Sequence, residues 1–305
     1  MGKVAFIFSG QGAQYVGMGN DIQKNELAKQ VFDSAEKALG FSVSELCNDE
    51  ERVNITEFTQ PAILTTSIAL YKELIEYITP DAVAGLSLGE YSALVASGVL
   101  DFEEAVKLVN KRGRFMTEAV PVGVGSMAAI IGMESGKISE VISDIEDVYI
   151  SNYNCPKQYV IGGYKEGVLK AIDALKEAGA RRAVELNVSG PFHTPLLKPA
   201  AEKLELELSE VTIRENELPV VMNYTGKYLD GSVKELLVNQ VMGSVRFEDS
   251  IKQLVADGFD TFIEVGPGKV LSGFVKKVDR SLNIHNVEDL ESLKNTLDKL
   301  GVVND

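Results

Sequence analysis

Gly85-Leu86-Ser87-Leu88-Gly89 stands between two runs of different character. Asp81-Ala82-Val83-Ala84-Gly85 reads as a short buried strand, and Glu90-Tyr91-Ser92-Ala93-Leu94-Val95-Ala96 reads as a helix. A glycine-flanked serine at such a junction forms a sharp turn that lifts its hydroxyl off the end of a sheet. That turn restricts the fold to strands that feed helices packed back over a parallel sheet. The pentapeptide alone is modest evidence, because about one chain in ten of this length carries it by chance. A plain small-residue turn is its bland alternative. A serine hydroxyl also needs a neighbouring base before it can attack at neutral pH. If that base is histidine, the chain offers only His193 and His285.

His193 lies in Ser189-Gly190-Pro191-Phe192-His193-Thr194-Pro195, a loop of the kind that carries a general base into a cleft. His285, in Leu282-Asn283-Ile284-His285-Asn286, sits in a polar C-terminal segment and reads as a surface residue. No carboxylate between Ser87 and His193 stands out as the third member of a triad. Another turn, Ser9-Gly10-Gln11-Gly12-Ala13-Gln14, follows the first strand directly. A dinucleotide loop would need glycine where Tyr15 stands. The turn is instead placed to offer the Gln11 N–H, with that of Leu88, to an oxyanion. Glu264-Val265-Gly266-Pro267-Gly268-Lys269 fails the phosphate-loop pattern at Ile263 and Val270 and reads as a structural turn. Arg112 belongs to Lys111-Arg112-Gly113-Arg114, which is either a solvated basic turn or a helix face with one arginine in the cleft. Gly113 inside that helix argues for a close approach across it.

Short apolar strands at 4–8, 81–86, 219–223 and 259–264 alternate with helices such as 61–78 and 101–118. This is an α/β pattern, a parallel sheet covered on both faces. The middle of the chain differs. It reads strand 126–132, helix 135–146, strand 147–152, strand 157–162, helix 164–178, strand 181–187, the βαββαβ order of a ferredoxin-like unit. The expected organisation is a discontinuous α/β-hydrolase-like catalytic domain, 1–125 and 190–305, with an insertion at 126–189. A cleft between the two is expected to hold the substrate.

The 305 residues, 45% hydrophobic and 25% charged, suit an ordinary globular enzyme. The net charge of −15 argues against a nucleic-acid partner. No run reaches the roughly 20 apolar residues of a membrane span, and the first residues are too short an apolar run for a secretion signal. Two cysteines, Cys47 and Cys155, point to a reducing, cytoplasmic setting. No metal-ligand spacing stands out.

Taken together, these segments resemble the malonyl-CoA:acyl-carrier-protein transacylases over essentially the whole chain. The resemblance rests on Phe8-Ser9-Gly10-Gln11-Gly12, Thr59-Gln60-Pro61-Ala62, the Gly85–Leu94 segment, Arg112-Gly113-Arg114-Phe115-Met116, Asn154-Cys155-Pro156-Lys157-Gln158, Gly190-Pro191-Phe192-His193 and Glu264–Leu271. It implies an acylated Ser87, His193 as base in a Ser–His dyad, and the backbone carbonyl of Gln240 orienting that histidine. It further implies oxyanion donors at the N–H groups of Gln11 and Leu88, Arg112 gripping the malonyl carboxylate, and Met116 and Gln158 at the substrate. Malonyl-CoA and acyl carrier protein would be the partners of a monomer that binds no cofactor. Leu86 and Ser9 depart from the common pattern, where histidine and proline stand, with altered packing the expected result. Phe192 leans against a methylmalonyl group. A basic rim for the acidic partners is sought among Lys111, Arg114, Lys157, Lys198, Lys276 and Lys277. The rival readings are a serine thioesterase or hydrolase, a discrete acyltransferase of a polyketide synthase, and a non-catalytic carrier-binding subunit.

Overall fold

A computed structural model describes residues 2–302. Residue 1 and residues 303–305, the ends of the expected catalytic domain, lie outside the described residues. Among the described residues, ten strands form two sheets. The first holds β1 (Lys3–Phe8), β2 (Ala82–Gly85), β7 (Val220–Met222), β8 (Lys227–Tyr228), β9 (Phe259–Val265) and β10 (Asn283–Val287). Their order is β10-β9-β1-β2-β7-β8, parallel except for the short β8. The four strands expected from sequence are the four adjacent inner ones. Alternation along β1 explains why: Val4, Phe6 and Phe8 feed one core, and Ala5 and Ile7 feed the core on the opposite face. A strand buried on both faces reads as a continuous apolar run.

β3 (Gly125–Ile131), β4 (Val148–Cys155), β5 (Gln158–Tyr164) and β6 (Arg182–Glu185) make the second sheet, in the antiparallel order β4-β5-β3-β6. Helices Ser135–Ile142 and Lys165–Glu177 cover it, and Ile130, Ile161, Val168 and Ile172 lie in its separate core. This is the ferredoxin-like arrangement. The sheets are joined rather than merely adjacent. Val245 pairs with Asn152, donating its N–H to the Ser151 carbonyl and accepting from the Tyr153 N–H. Ser244 Oγ adds a bond to the Ile150 carbonyl.

Three expectations need correction. The helix expected from Pro61 begins at Thr56 and ends at Leu74. Proline cannot donate to the carbonyl four residues back, and that carbonyl, of Glu57, instead accepts from Asn110 Nδ2 at 2.9 Å. Next, the helix expected over 135–146 stops at Ile142. Finally, the segment around His285 is an edge strand, β10, paired to β9, with His285 half-buried rather than on the surface. Polar residues at a sheet edge hide a strand from a reading of apolar runs.

Candidate active site

The site grows from the C-terminal ends of β1, β2 and β7, where parallel strands release their loops on one side. Phe8 and Gly85 are in register, and the Leu86 N–H donates to the Phe8 carbonyl. The chain then turns at Ser87, with φ 55° and ψ −102°, into the Leu88–Ala96 helix. Both glycines of the motif have a steric reason. A Cβ at Gly85 would strike the Gly89 carbonyl, and one at Gly89 would strike the Phe8 carbonyl.

Ser87 Oγ lies 2.7 Å from His193 Nε2. On the far side of the ring, Nδ1 is 2.7 Å from the Gln240 carbonyl oxygen. A carbonyl only accepts, so Nδ1 carries the proton and Nε2 is free to accept from the serine. Burial, reinforced by the Arg112 charge and opposed by the Gln240 carbonyl, pushes the His193 pKa down to about 3. The imidazole is therefore neutral near pH 7. Among the described residues no carboxylate is hydrogen-bonded to it: Glu90, fully buried one turn into the helix, meets the Asn223 N–H instead. Burial raises the Glu90 pKa to about 8, against the Asn223 N–H and the Arg112 charge.

Arg112 is 1% exposed, whereas its neighbours Lys111 and Arg114 face outward to Glu207 and Glu118. Gly113 allows this helix, Phe102–Glu118, to press on the backbone of Thr56 and Glu57. Arg112 Nη1 donates to Gln60 Oε1 at 2.8 Å, and Nη2 to Gln240 Oε1 at 2.9 Å and to Ser87 Oγ at 3.3 Å. Its guanidinium lies 5.2 Å from the Tyr91 ring centroid, and its Nε has no partner. Every hydrogen-bond acceptor of this buried cation is neutral. A buried cation hydrogen-bonded only to neutral groups is costly, so the arrangement suits a bound anion beside the serine. Gln60 is held in turn, its Nε2 donating to Met116 Sδ at 3.6 Å.

A cavity of about 800 Å³ opens beside these groups. Ser87, His193, Arg112, Met116 and Gln11 line it on the side of the large sheet, and Met127, Asn152, Asn154 and Val160 on the side of the small one. The backbone N–H groups of Gln11 and Leu88 have no hydrogen-bond acceptor among the described residues. Of the residues expected at the site, Gln158 is not brought there. It starts β5 at the hairpin end, and its Oε1 accepts from Lys277 Nζ. None of the six residues offered for a basic rim lines the cavity itself. Lys111, Arg114, Lys157 and Lys198 are committed to surface ion pairs, which at their exposure contribute little. Leu86 packs into the second core, while Ser9 is buried with an unpartnered hydroxyl. Sequence reasoning missed the side-chain roles of Gln60, Glu90, Asn223 and Gln240. Only Asn223, a polar residue closing the run Pro-Val-Val-Met-Asn, carried a readable signal. Among the described residues, no group of three or more His, Cys, Asp and Glu could hold a metal ion, and no helix is long and apolar enough to cross a membrane.

Residues 5–298 match the family described as acyl transferase domain. The malonyl CoA-acyl carrier protein transacylase of Bacillus subtilis is 47% identical, with 100% of this chain and 99% of that protein aligned. Among solved structures, the malonyl CoA-acyl carrier protein transacylase from Clostridium perfringens superposes with a TM-score of 0.96 at 47% identity, covering 98% of this chain and 97% of that one. A malonyl-transacylase in complex with its type II PKS acyl-carrier protein gives 0.94 at 38% identity, covering 97% of this chain and 99% of that one.

Proposed function

The chain belongs to the acyl transferase domain family, and from that premise we propose that it moves a malonyl group from malonyl-CoA to the phosphopantetheine thiol of an acyl carrier protein. The observation that carries the malonyl reading is the buried Arg112, bonded only to neutral acceptors and 3.3 Å from Ser87 Oγ. In the first half-reaction, Ser87 Oγ attacks the thioester carbonyl as its proton passes to His193 Nε2. The Gln11 and Leu88 N–H groups hold the oxyanion, a contribution worth roughly 100- to 1,000-fold per donor. The C–S bond then breaks, and the His193 proton leaves with CoA as its thiol. In the second half, His193 takes the proton of the carrier thiol, whose sulfur attacks the malonyl carbonyl. The C–O bond to Ser87 breaks, and His193 Nε2 returns the proton to Ser87 Oγ. Arg112 grips the malonyl carboxylate in both, and Met116 serves by fixing Gln60 against Arg112. None of these steps draws on a cofactor.

Relatives named for this transfer at 47% identity support the reading. The likeness to a type II PKS malonyl-transacylase leaves a fatty-acid or a polyketide carrier as acceptors of the same chemistry. The reading includes a cytoplasmic monomer with no nucleic-acid partner, built as a catalytic body of 1–125 and 190–305 around an insertion at 126–189. Its test is mass spectrometry after mixing the protein with malonyl-CoA and no carrier. One malonyl group should stay on Ser87, be absent from Ser87→Ala, and move to holo carrier protein when that is added. Steady release of free malonate would make the protein a hydrolase instead.

A further inference from the structure

Ser87 holds a backbone conformation that nothing within its own turn explains. Its φ of 55° and ψ of −102° fall outside the ordinary wells of a non-glycine residue. Such a residue persists only where its surroundings over-determine it. The constraint comes from the next strand. Asn223, fully buried just beyond β7, reaches across with both ends of its carboxamide. Its Oδ1 accepts from the Ser87 N–H at 2.6 Å, and its Nδ2 donates to the Gly85 carbonyl at 2.6 Å. The two bonds bracket the turn, one just before it and one at the nucleophile. Asn223 is itself fixed through its backbone: its carbonyl accepts from the Arg246 N–H, and its N–H donates to Glu90 Oε2. Glu90 lies three residues after Ser87 on the helix that the turn begins, so the bonds close a loop, Ser87 to Asn223 to Glu90 and back through the helix. Glu90 makes no hydrogen bond to His193 and has no solvent exposure, and its other oxygen is unpartnered.

We propose that Asn223 and Glu90 are positioning residues for the nucleophile. Asn223 clamps the strained Ser87 turn, and Glu90 fixes Asn223, so that Ser87 Oγ stays aimed at His193 and the Leu88 N–H stays turned toward the reacting carbonyl. The proposal deepens the acyl-transfer reading and rests on it for the identity of the reacting group. A clamp that acts only on Ser87 changes the acylation rate and leaves the grip on malonyl-CoA alone. A residue that merely holds the sheet together would instead lower thermal stability and spare the rate.

Single-turnover acylation of Ser87 by malonyl-CoA separates these quantities, with melting temperatures measured in parallel. Asn223→Ala should slow acylation by about 100-fold, the scale of a misplacement near 1 Å, while the Kd for malonyl-CoA stays within about twofold. Asn223→Asp keeps an acceptor for the Ser87 N–H but sets a carboxylate oxygen against the Gly85 carbonyl. It should slow acylation at least as much as Asn223→Ala, with the Kd again within about twofold. Glu90→Ala should slow acylation about tenfold, the scale of one misaligned hydrogen bond. Glu90→Gln, which keeps an acceptor for the Asn223 N–H, should recover most of that loss. Should Asn223→Ala not fold, the Asn223→Asp and Glu90 variants give the same reading. A fluorophosphonate provides a readout free of malonyl recognition, because Ser87 Oγ displaces its fluoride whatever the natural acyl group. If wild type takes the fluorophosphonate but no malonyl, the functional reading fails and the clamp is still measured by the labelling rates. Folded variants that label and acylate at the wild-type rate would overturn the proposal, as would losses in Kd or melting temperature alone.

Discussion

Along the large sheet, the groups that face the cavity are tied down. Ser87 is bonded through its N–H to Asn223, its carbonyl to Gln240 Nε2 and its hydroxyl to His193. His193 also has a positive φ, 60°, and is bonded at both ring nitrogens. Across the cavity, Met127, Asn154 and Val160 of the small sheet form no hydrogen bond to Ser87, His193 or Arg112, and Asn154 Oδ1 is buried without a partner. One wall over-determines a reacting geometry, and the other shapes space. Rate should therefore belong to the first wall, and the fit of the acyl chain to the second.

The largest expected break lies in the first wall. His193→Ala should lower malonyl transfer by roughly 10,000-fold or more, with Ser87→Ala abolishing the covalent adduct. The check is a single-turnover assay on folded protein. A substitution on the opposite wall sharpens the contrast. Val160→Ala should raise the rate for an α-methylated acyl group relative to malonyl by about tenfold, the scale of one or two methyl groups in an apolar pocket. Competing malonyl- and methylmalonyl-CoA would measure it, and a collapse of both rates would erase the distinction between the walls.

A smaller effect concerns pH. With the His193 pKa at about 3, the base is already deprotonated at every ordinary pH. The kcat/KM of the first half-reaction should then stay flat from about pH 8 down to about pH 5, whereas an unperturbed histidine would bring a decline centred near 6.5. Stability has the opposite sign at the two buried groups. The folded pKa of His193 lies below its unfolded value, so its contribution is complete above about 6.5 and is lost as pH falls toward 3. For Glu90 the folded value lies above, so its contribution is complete below about 4.5 and is lost as pH rises through about 8. Denaturant melts of Glu90→Gln against wild type should show the variant gaining on wild type as pH rises from 5 to 9. A difference independent of pH would mean that Glu90 is already charged in the fold.

Legibility in the sequence followed burial and backbone. The inner strands were readable because both faces of each are apolar, while β8 and β10 were not, being short or polar strands at the sheet's edges. Ser87 was readable from its glycines and His193 from the scarcity of histidine. Only the Gln240 carbonyl rested wholly on family resemblance, since a backbone group leaves no mark on side-chain pattern. The turn after β1 had already offered the Gln11 and Leu88 N–H groups, and Gly113 had left Arg112 open to a place in the cleft. Gln60 and Glu90 were hidden for another reason, and Asn223 showed its place at the end of the β7 run but not its partners. Their parts depend on which atoms three separate elements bring within bonding distance, and local spacing holds none of that. Gln158 failed in reverse, a polar residue in a matching motif whose side chain turned out to serve Lys277.

The central claim is that a buried arginine beside the nucleophile selects a carboxylated acyl group. The direct measurement is single-turnover acylation of wild type and Arg112→Ala by malonyl-CoA and by acetyl-CoA. Removing one partner of a buried ion pair costs about 3–5 kcal/mol, or roughly 100- to 5,000-fold in rate. Arg112→Ala should lose that much toward malonyl-CoA while acetyl transfer holds or rises, reversing the preference. Equal losses on the two substrates would contradict the claim and leave Arg112 as a support for Ser87 and Gln240.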